Sequence, residues 1–367
     1  MARDNLSIHL AERPKGDIIP GTTFSQKRTP IPSPADLKDG EILVEALYLS
    51  LDPAMRTYLN PGGSYMAPVD IGGVMRGMTV CRVLVSKSKR AAAGDFVSGN
   101  TGWTEHAVLG EKDFEPSSRF PGLRDPQDML SVLGPTGVTA WYGMTQIGDP
   151  KPGELVVVSG AAGATGSVAG QIAKIRGATV VGIAGSDDKC RWLVEELGFD
   201  VALNYKAADF KNKFKEATKK RIDVYFDNGE STVLSSSPSF VLTQNLVGGQ
   251  ILDMCLARAK EHARFVECGV ISQYNTRDHA GLRNIANVVS LRIHMQGFII
   301  FDQLKYFPQA RSDLSKWIAE GKLKKNETII QGGLEKAEQA LVDLYKGINT
   351  GKLLVEIKNP KAITPKL

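Results

Sequence analysis

Between Glu154 and Lys189 the chain runs from an apolar stretch, LVVVSG, through a glycine-rich turn, AAGATG, into SVAGQIAKIRG and then a second apolar stretch, TVVGIAG. No other segment limits the possible folds so tightly. The order predicts a strand, a tight turn, a helix and a second strand, the unit that holds a dinucleotide pyrophosphate at the edge of an open parallel sheet. Glycine at Gly163 and Gly166 lets backbone N–H groups approach phosphate oxygens, and a helix starting near Gly166 aims the positive end of its dipole at them. Similar turns also occur as ordinary strand-to-helix connections, but here both flanking strands and the helix sit where the motif requires. A nucleoside triphosphate site is not expected, because no Gly-Lys-Ser/Thr follows the turn.

The second strand ends at Ala184-Gly185-Ser186, before Asp187, Asp188 and Lys189. An NAD site places a carboxylate near this point for the ribose 2′-hydroxyl, whereas a 2′-phosphate needs small residues and a cation. Gly185 and Ser186 leave room and Lys189 supplies the charge, so NADPH is the favoured dinucleotide. The two aspartates read as N-terminal caps of the next helix, pointing elsewhere. In the alternative, Lys189 is one more solvated helix lysine.

The 367 residues, 42% of them hydrophobic, supply material for two lobes. A formal charge of +5 is mild, and its densest basic patch, Lys211 to Arg221, reads as a solvated helix face; no nucleic-acid partner is expected. Cys81, Cys190, Cys255 and Cys268 form no C-x-x-C pair, and the five histidines have no ligand-like spacing, so neither a metal site nor disulfides are expected. The opening MARDNLSIHLAERPKGD lacks the apolar core of an export leader, and no apolar run approaches spanning length. A cytoplasmic protein without membrane partners is the expectation.

Residues 1 to about 145 read as short extended segments punctuated by glycine and proline, a β-rich lobe of partly barrel-like character. From about Glu154 to Gly321, strands such as RIDVYFDN, ARFVECGV and RIHMQGFII alternate with helices, the pattern of a doubly wound α/β lobe. The tail, ETIIQ, LEKAEQALVDLYKG and KLLVEIK, could return to complete the first lobe. Chemistry is expected in a cleft between the lobes, where the strand ends open.

Eight strings now take on a joint meaning: LYLSLDPAMRTYLN (47–60), SYMAPVDIGGVMRGMTV (64–80), GWTEHAV (102–108), LGPTGVTAWYGM (133–144), AAGATGSVAGQIAK (161–174), GSDDK (185–189), LGFDVALNYK (197–206) and CGVISQYN (268–275). In this order the chain resembles the zinc-independent medium-chain dehydrogenase/reductases, in the branch of leukotriene/prostaglandin reductases, plant alkenal double-bond reductases and bacterial curcumin reductase. The resemblance implies a GroES-like catalytic domain at 1–145 completed by 322–367, a Rossmann NADPH-binding domain at 146–321, and a homodimer. It also implies reduction of the carbon–carbon double bond of an α,β-unsaturated aldehyde or ketone. By the same resemblance Gly163, Thr165 and Gly166 cradle the pyrophosphate, and Lys189 and Tyr205 contact the 2′-phosphate. Asn228, the Cys268-Gly269 turn and Phe298, Ile299 and Ile300 line the ribose and nicotinamide, and Asn349 adds a further contact.

The chain departs from that pattern after Asp227-Asn228, where the family continues Val-Gly-Gly. Here VGGQILDMCL begins only at Val247, implying an insertion of 18 residues, Gly229 to Leu246 (the segment 229–246). It is either a serine-rich loop beside the cofactor or an intron translated in frame. Pro135-Thr136 also stands where the family has Met-Pro.

Enone reduction delivers hydride to the β carbon while negative charge builds on the carbonyl oxygen, which a hydrogen-bond donor must meet. Tyr274 matches the family tyrosine in that role, and a phenol with an ordinary pKa of about 10 keeps its proton at neutral pH. Alternatively Tyr274 only hydrogen-bonds the nicotinamide ribose. Tyr65 matches a tyrosine facing the substrate, or is a loop residue at a lobe or subunit contact. Arg56 reads as a loop anchor or phosphate partner, and Met66 and Trp103 as core in preference to apolar walls of the site. No Tyr-x-x-x-Lys dyad and no G-x-S-x-G elbow occurs. Quinone oxidoreduction and a non-catalytic NADPH-binding role remain as alternatives.

Overall fold

The short extended segments near the N-terminus become strands: β1 (Asp4–Leu10), β2 (Phe24–Pro30), β3 (Ile42–Ser50), β4 (Thr79–Ser86), β5 (Phe96–Gly99), β6 (His106–Leu109) and β7 (Phe114–Pro116). In a computed structural model of the chain, residues 4–62, 64–229, 249–269 and 281–361 are described. They form two units, one from the chain up to Ser131 with Glu327–Tyr345 and the segment from Leu353 on, the other from Val132–Asn326 with Lys346–Lys352.

Between these strands and the tail lie α1 (Pro135–Tyr142), β8 (Leu155–Val158), α2 (Ala164–Ile175), β9 (Thr179–Ala184), α3 (Asp187–Glu195), β10 (Val201–Asn204), α4 (Phe210–Ala217) and β11 (Ile222–Asp227). There follow α5 (Gly249–Arg258), β12 (Ala259–Glu267), α6 (Asn287–Ser290), β13 (His294–Gly297) and α7 (Phe307–Ala319), and then β14 (Glu327–Ile330), α8 (Ala337–Tyr345) and β15 (Lys352–Glu356).

In the first unit β14, β15, β3, β4, β5 and β7 lie side by side in that order, β6 also pairs with β3, and β1 and β2 form a separate ribbon. All nine residues of β3 are buried because apolar layers cover both of its faces. Leu49 packs with Leu6, Ile8, Met55, Trp103 and Leu341 on one side, and Val44 and Ala46 with Val83, Val97 and Phe114 on the other. Glu45, buried within β3, is balanced by the Lys358 ammonium at 3.1 Å and by His106 at 3.8 Å, as a carboxylate withdrawn from water requires. Arg56 is likewise buried, and donates to the carbonyl of Gly16 at 2.8 Å and to Asn60 at 2.7 Å. It anchors loops within this unit.

The second unit is built on a wholly parallel sheet in the order β10-β9-β8-β11-β12-β13. Helices cover it, so its inner strands read as unbroken apolar runs, and every residue of β8 is buried. Val157, Val181, Ile183, Tyr225 and Phe265 pack against Phe214 of α4 and Cys255 and Leu256 of α5. The order reverses between β8 and β11, the switch point at which such sheets open a crevice beyond their carboxyl ends. The β-rich lobe and the doubly wound lobe expected from the sequence are both present.

Candidate functional site

The dinucleotide turn lies at this switch point. β8 leads into Ser159 and Gly160, and Gly163 donates its N–H to the Gly160 carbonyl at 3.0 Å. Gly163, extended at φ −82° and ψ 176°, is the N-cap of α2 and offers no side chain to it. The helix therefore starts at Ala164, two residues earlier than the sequence suggested, and no side chain caps its first N–H groups. Such an end is a ready anion site. A Cβ on Gly166 would fall 2.3 Å from the Gly160 oxygen; only glycine lets the helix approach the strand end so closely. Thr165 occupies the same first turn, half-buried.

A distant segment completes the turn. Gly351 donates to the Ala162 carbonyl at 2.8 Å and bridges to Gly163 in parallel fashion. Asn349 is buried there, its amide donating to the Gly351 carbonyl at 2.7 Å. In the same segment the Gly347 carbonyl accepts from Lys189 Nζ at 2.7 Å. Lys189 and Asn349, far apart in sequence, thus belong to one neighbourhood.

At the end of β9 the side chain capping α3 is Ser186, which accepts from the Lys189 N–H, and not either aspartate. A hydroxyl one residue earlier is already in capping geometry. Asp187 accepts from Asn204 at 2.9 Å, and Asp188 pairs with Arg191. The Tyr205 ring lies over Gly185, 3.2 Å from where a Cβ would stand, and Lys206 Nζ sits 5.6 Å from the ring centre. Small residues, a lysine and a tyrosine meet here, while both carboxylates are engaged elsewhere.

Across the switch point, the Asn228 amide donates to the Ser159 carbonyl at 2.8 Å, and the Asn228 N–H to Ser159 Oγ at 2.9 Å. Cys268 and Gly269 both donate their N–H groups to the Asp227 carbonyl, at 2.9 and 3.1 Å. Three of the residues expected along the ribose and nicotinamide, Asn228, Cys268 and Gly269, therefore converge on the ends of β8 and β11. Burial, aided by the charges of Asp227 and Glu267, pushes the Cys268 thiol up to about 12, which leaves it unreactive. Ser159, Asp227 and Glu267 were not anticipated as site residues; the signal available was polar atoms at the ends of apolar runs, in LVVVSG, RIDVYFDN and ARFVECGV.

With this geometry in view, comparison with known proteins is decisive. Residues 7–117 match the N-terminal domain of oxidoreductase family, and residues 164–244 the zinc-binding dehydrogenase family. The NADPH-dependent curcumin reductase of Escherichia coli is 37% identical over 95% of this chain and 95% of its own. The 2-alkenal reductase (NADP(+)-dependent) of Nicotiana tabacum is 36% identical over 86% of this chain and 87% of its own. The crystal structure of CurA from Vibrio vulnificus in complex with NADPH matches with a TM-score of 0.85 at 36% identity, covering 97% of this chain and 100% of that one. The chain belongs to the medium-chain dehydrogenase/reductases. Within that family it falls in the branch of prostaglandin, alkenal and curcumin reductases.

One of the matched families of this medium-chain reductase is named for zinc. Among the described residues, no group of three or more His, Cys, Asp or Glu side chains is placed to hold a metal ion, and the four cysteines are free thiols. Phe298 follows β13 and packs its ring 5.3 Å from that of Tyr142. Ile299 caps the short helical turn that begins at Ile300, and Ile300 is buried. Tyr65 belongs to the first unit; its ring meets that of Tyr58 edge-on, with the two hydroxyls 3.3 Å apart and Tyr65 half exposed. Trp103 is core, and Met66 packs against the same cluster. Tyr274 and the segment 230–246 lie outside the described residues.

Proposed function

We propose that this medium-chain reductase uses NADPH to reduce the carbon–carbon double bond of α,β-unsaturated aldehydes or ketones. The observation that carries the reading is the pairing of an uncapped α2 N-terminus with a β9 end that presents Lys189 and Tyr205 while Asp187 and Asp188 are bound away. That chemistry suits a pyrophosphate and a 2′-phosphate, and does not suit a free ribose diol. The relatives named for curcumin, 2-alkenals and NADPH support the same direction.

The residues fit the dinucleotide: the first turn of α2 carries no side-chain cap, and glycine at Gly166 lets the helix start close against the strand end. Gly163, Thr165 and Gly166 would hold the pyrophosphate, and Lys189 and Tyr205 the 2′-phosphate. Asn228, Cys268, Gly269, Phe298, Ile299, Ile300 and Asn349 would bound the ribose and nicotinamide. When bound, NADPH supplies the hydride that the β carbon of the substrate accepts. The protein's part is to hold the ring against that carbon, to exclude water, and to meet the carbonyl oxygen as its charge grows. Tyr274 donates to that oxygen, and Tyr65 contacts the substrate.

The test follows absorbance of the reduced nicotinamide with NADPH and NADH in parallel, against alkenals, aryl enones and quinones, with products identified by mass and NMR. Saturated aldehydes or ketones formed preferentially from NADPH are expected. Quinols as the only products, or tight NADPH binding without turnover of any enone, would overturn the proposal.

A further inference from the structure

Two carboxyl groups sit side by side beneath the switch point. Asp227 and Glu267 are register partners on the adjacent parallel strands β11 and β12, so their side chains leave the sheet on the same face at strand spacing. One step earlier on that face, Tyr225 and Phe265 meet edge-on at 5.4 Å. Cys255 of α5 is fully buried against this layer. Asp227 is 2% exposed, and Glu267 Oε1 and the Tyr225 hydroxyl are buried with no hydrogen-bond partner among the described residues. Two carboxylates held so close in an apolar layer cannot both ionise.

The surrounding donors decide which one keeps the proton. Asp227 Oδ1 accepts from Ser159 Oγ at 2.8 Å and from the Gly229 N–H at 2.7 Å, a setting that favours a carboxylate. Among the described residues Glu267 Oε1 has no donor. We infer that Glu267 is protonated and shares its proton with Asp227, and that this pair is a positioning device for the dinucleotide turn. Through Asp227 it fixes Ser159, whose hydroxyl accepts from the Asn228 N–H and whose carbonyl accepts from the Asn228 amide. The inference rests on the reading of that turn as an NADPH site.

Among the described residues, the other groups facing the pair are Tyr225 on β11, Cys255 on α5 and Cys268 after β12, all pushed up by burial and therefore neutral at physiological pH. From β13 the register partner of Glu267 is Gly297, which brings no charge. Burial first, and the charge of Asp227 second, push the Glu267 carboxyl up to about 8, and Asp227 is also raised, chiefly by burial. A carboxyl raised on folding binds its proton in the folded state over a window where the unfolded chain has lost it. Its contribution to stability therefore declines as pH rises from the ordinary carboxyl value to the folded one. Above that point two charges repel, and Asp227 is drawn off Ser159.

The experiment measures the NADPH dissociation constant by fluorescence titration at about pH 7 and about pH 9. For the parent the constant should rise by about tenfold over that range. Glu267→Gln, which can donate to Asp227 and cannot ionise, should reduce the ratio to within about twofold. A flat parent profile, or an unchanged ratio in the variant, overturns the inference. Should Glu267→Gln fail to fold, infrared spectroscopy of the parent reads the proton directly. A carboxylic C=O stretch at about pH 7 that is lost by about pH 9 is expected, and its absence at the lower pH overturns the inference. If the chain binds no NADPH at all, the cofactor reading falls separately. Denaturant unfolding of the ligand-free protein then tests the pair: parent stability should fall across the window, and an equal fall in Glu267→Gln would reject the shared proton.

Discussion

Lys189 is the residue on which cofactor choice turns. It lies in the first turn of α3, and its ammonium reaches the Gly347 carbonyl, while the Tyr205 ring lies over Gly185. A charged donor to a phosphate contributes about 1.5–3 kcal/mol, so Lys189→Ala should raise the apparent NADPH constant by roughly ten- to a hundredfold. The NADH constant should move little, and equal effects in parallel kinetics would reject the phosphate assignment. Tyr274→Phe should lower kcat by at least about tenfold with a modest change in NADPH affinity if the phenol supports the developing charge; an unchanged kcat rejects that role. At this scale the sequence was informative where chemistry is local. Gly185, Ser186 and Lys189 follow one another, and their meaning depends on a strand ending just before them. Asp187 and Asp188 were expected to cap α3; the cap is the Ser186 hydroxyl, and the two carboxylates pair instead with Asn204 and Arg191. The Asp227–Glu267 pair was not legible, because it depends on the register of two strands that only the folded sheet defines.

Among the elements, the connection from β11 to α5 is where the sequence leads us to expect an insertion, Gly229 to Leu246. The flanks are regular: Asp227 closes a fully buried strand and α5 opens at Gly249. Removing Gly229 to Leu246 would bring Val247 directly after Asn228, and its N–H could take the place of the Gly229 N–H on Asp227 Oδ1. The shortened chain should fold and melt in one transition by circular dichroism, at or above the parent's midpoint, because a long connection between fixed ends costs closure entropy. An insoluble product would count against this. Sequencing the transcript separates a loop from an intron, since a message lacking those codons admits only the latter. The strand–turn–helix–strand unit was readable because periodicity and glycine both act within a few residues. The start of α2 was displaced by two residues because Gly163 caps by backbone conformation alone, which no side chain advertises.

For the whole molecule, β13 is the last strand of the parallel sheet, with one edge unpaired among the described residues. Close by in sequence, Ile285, Val289, Phe301 and Leu304 are exposed, Val289 at 81%. Edges of this kind invite pairing with another chain, and we propose that a second copy covers this one. Light scattering should give twice the chain mass, and Val289→Lys should shift the population toward monomer; a monomeric parent rejects the proposal. The two-lobed plan was legible from the change in residue pattern near Glu154, whereas the pairing of Gly351 with the dinucleotide turn was not readable from pattern, and Asn349 was tied to the cofactor only through the family resemblance. That bridge between Gly163 and Gly351 also orders events during synthesis. A ribosome delivers the turn well before its strap, so the sheet can form on the nascent chain before the turn is complete. A message truncated ahead of Asn349 would yield a protein with the sheet's residues all present and an unfinished grip on its nucleotide.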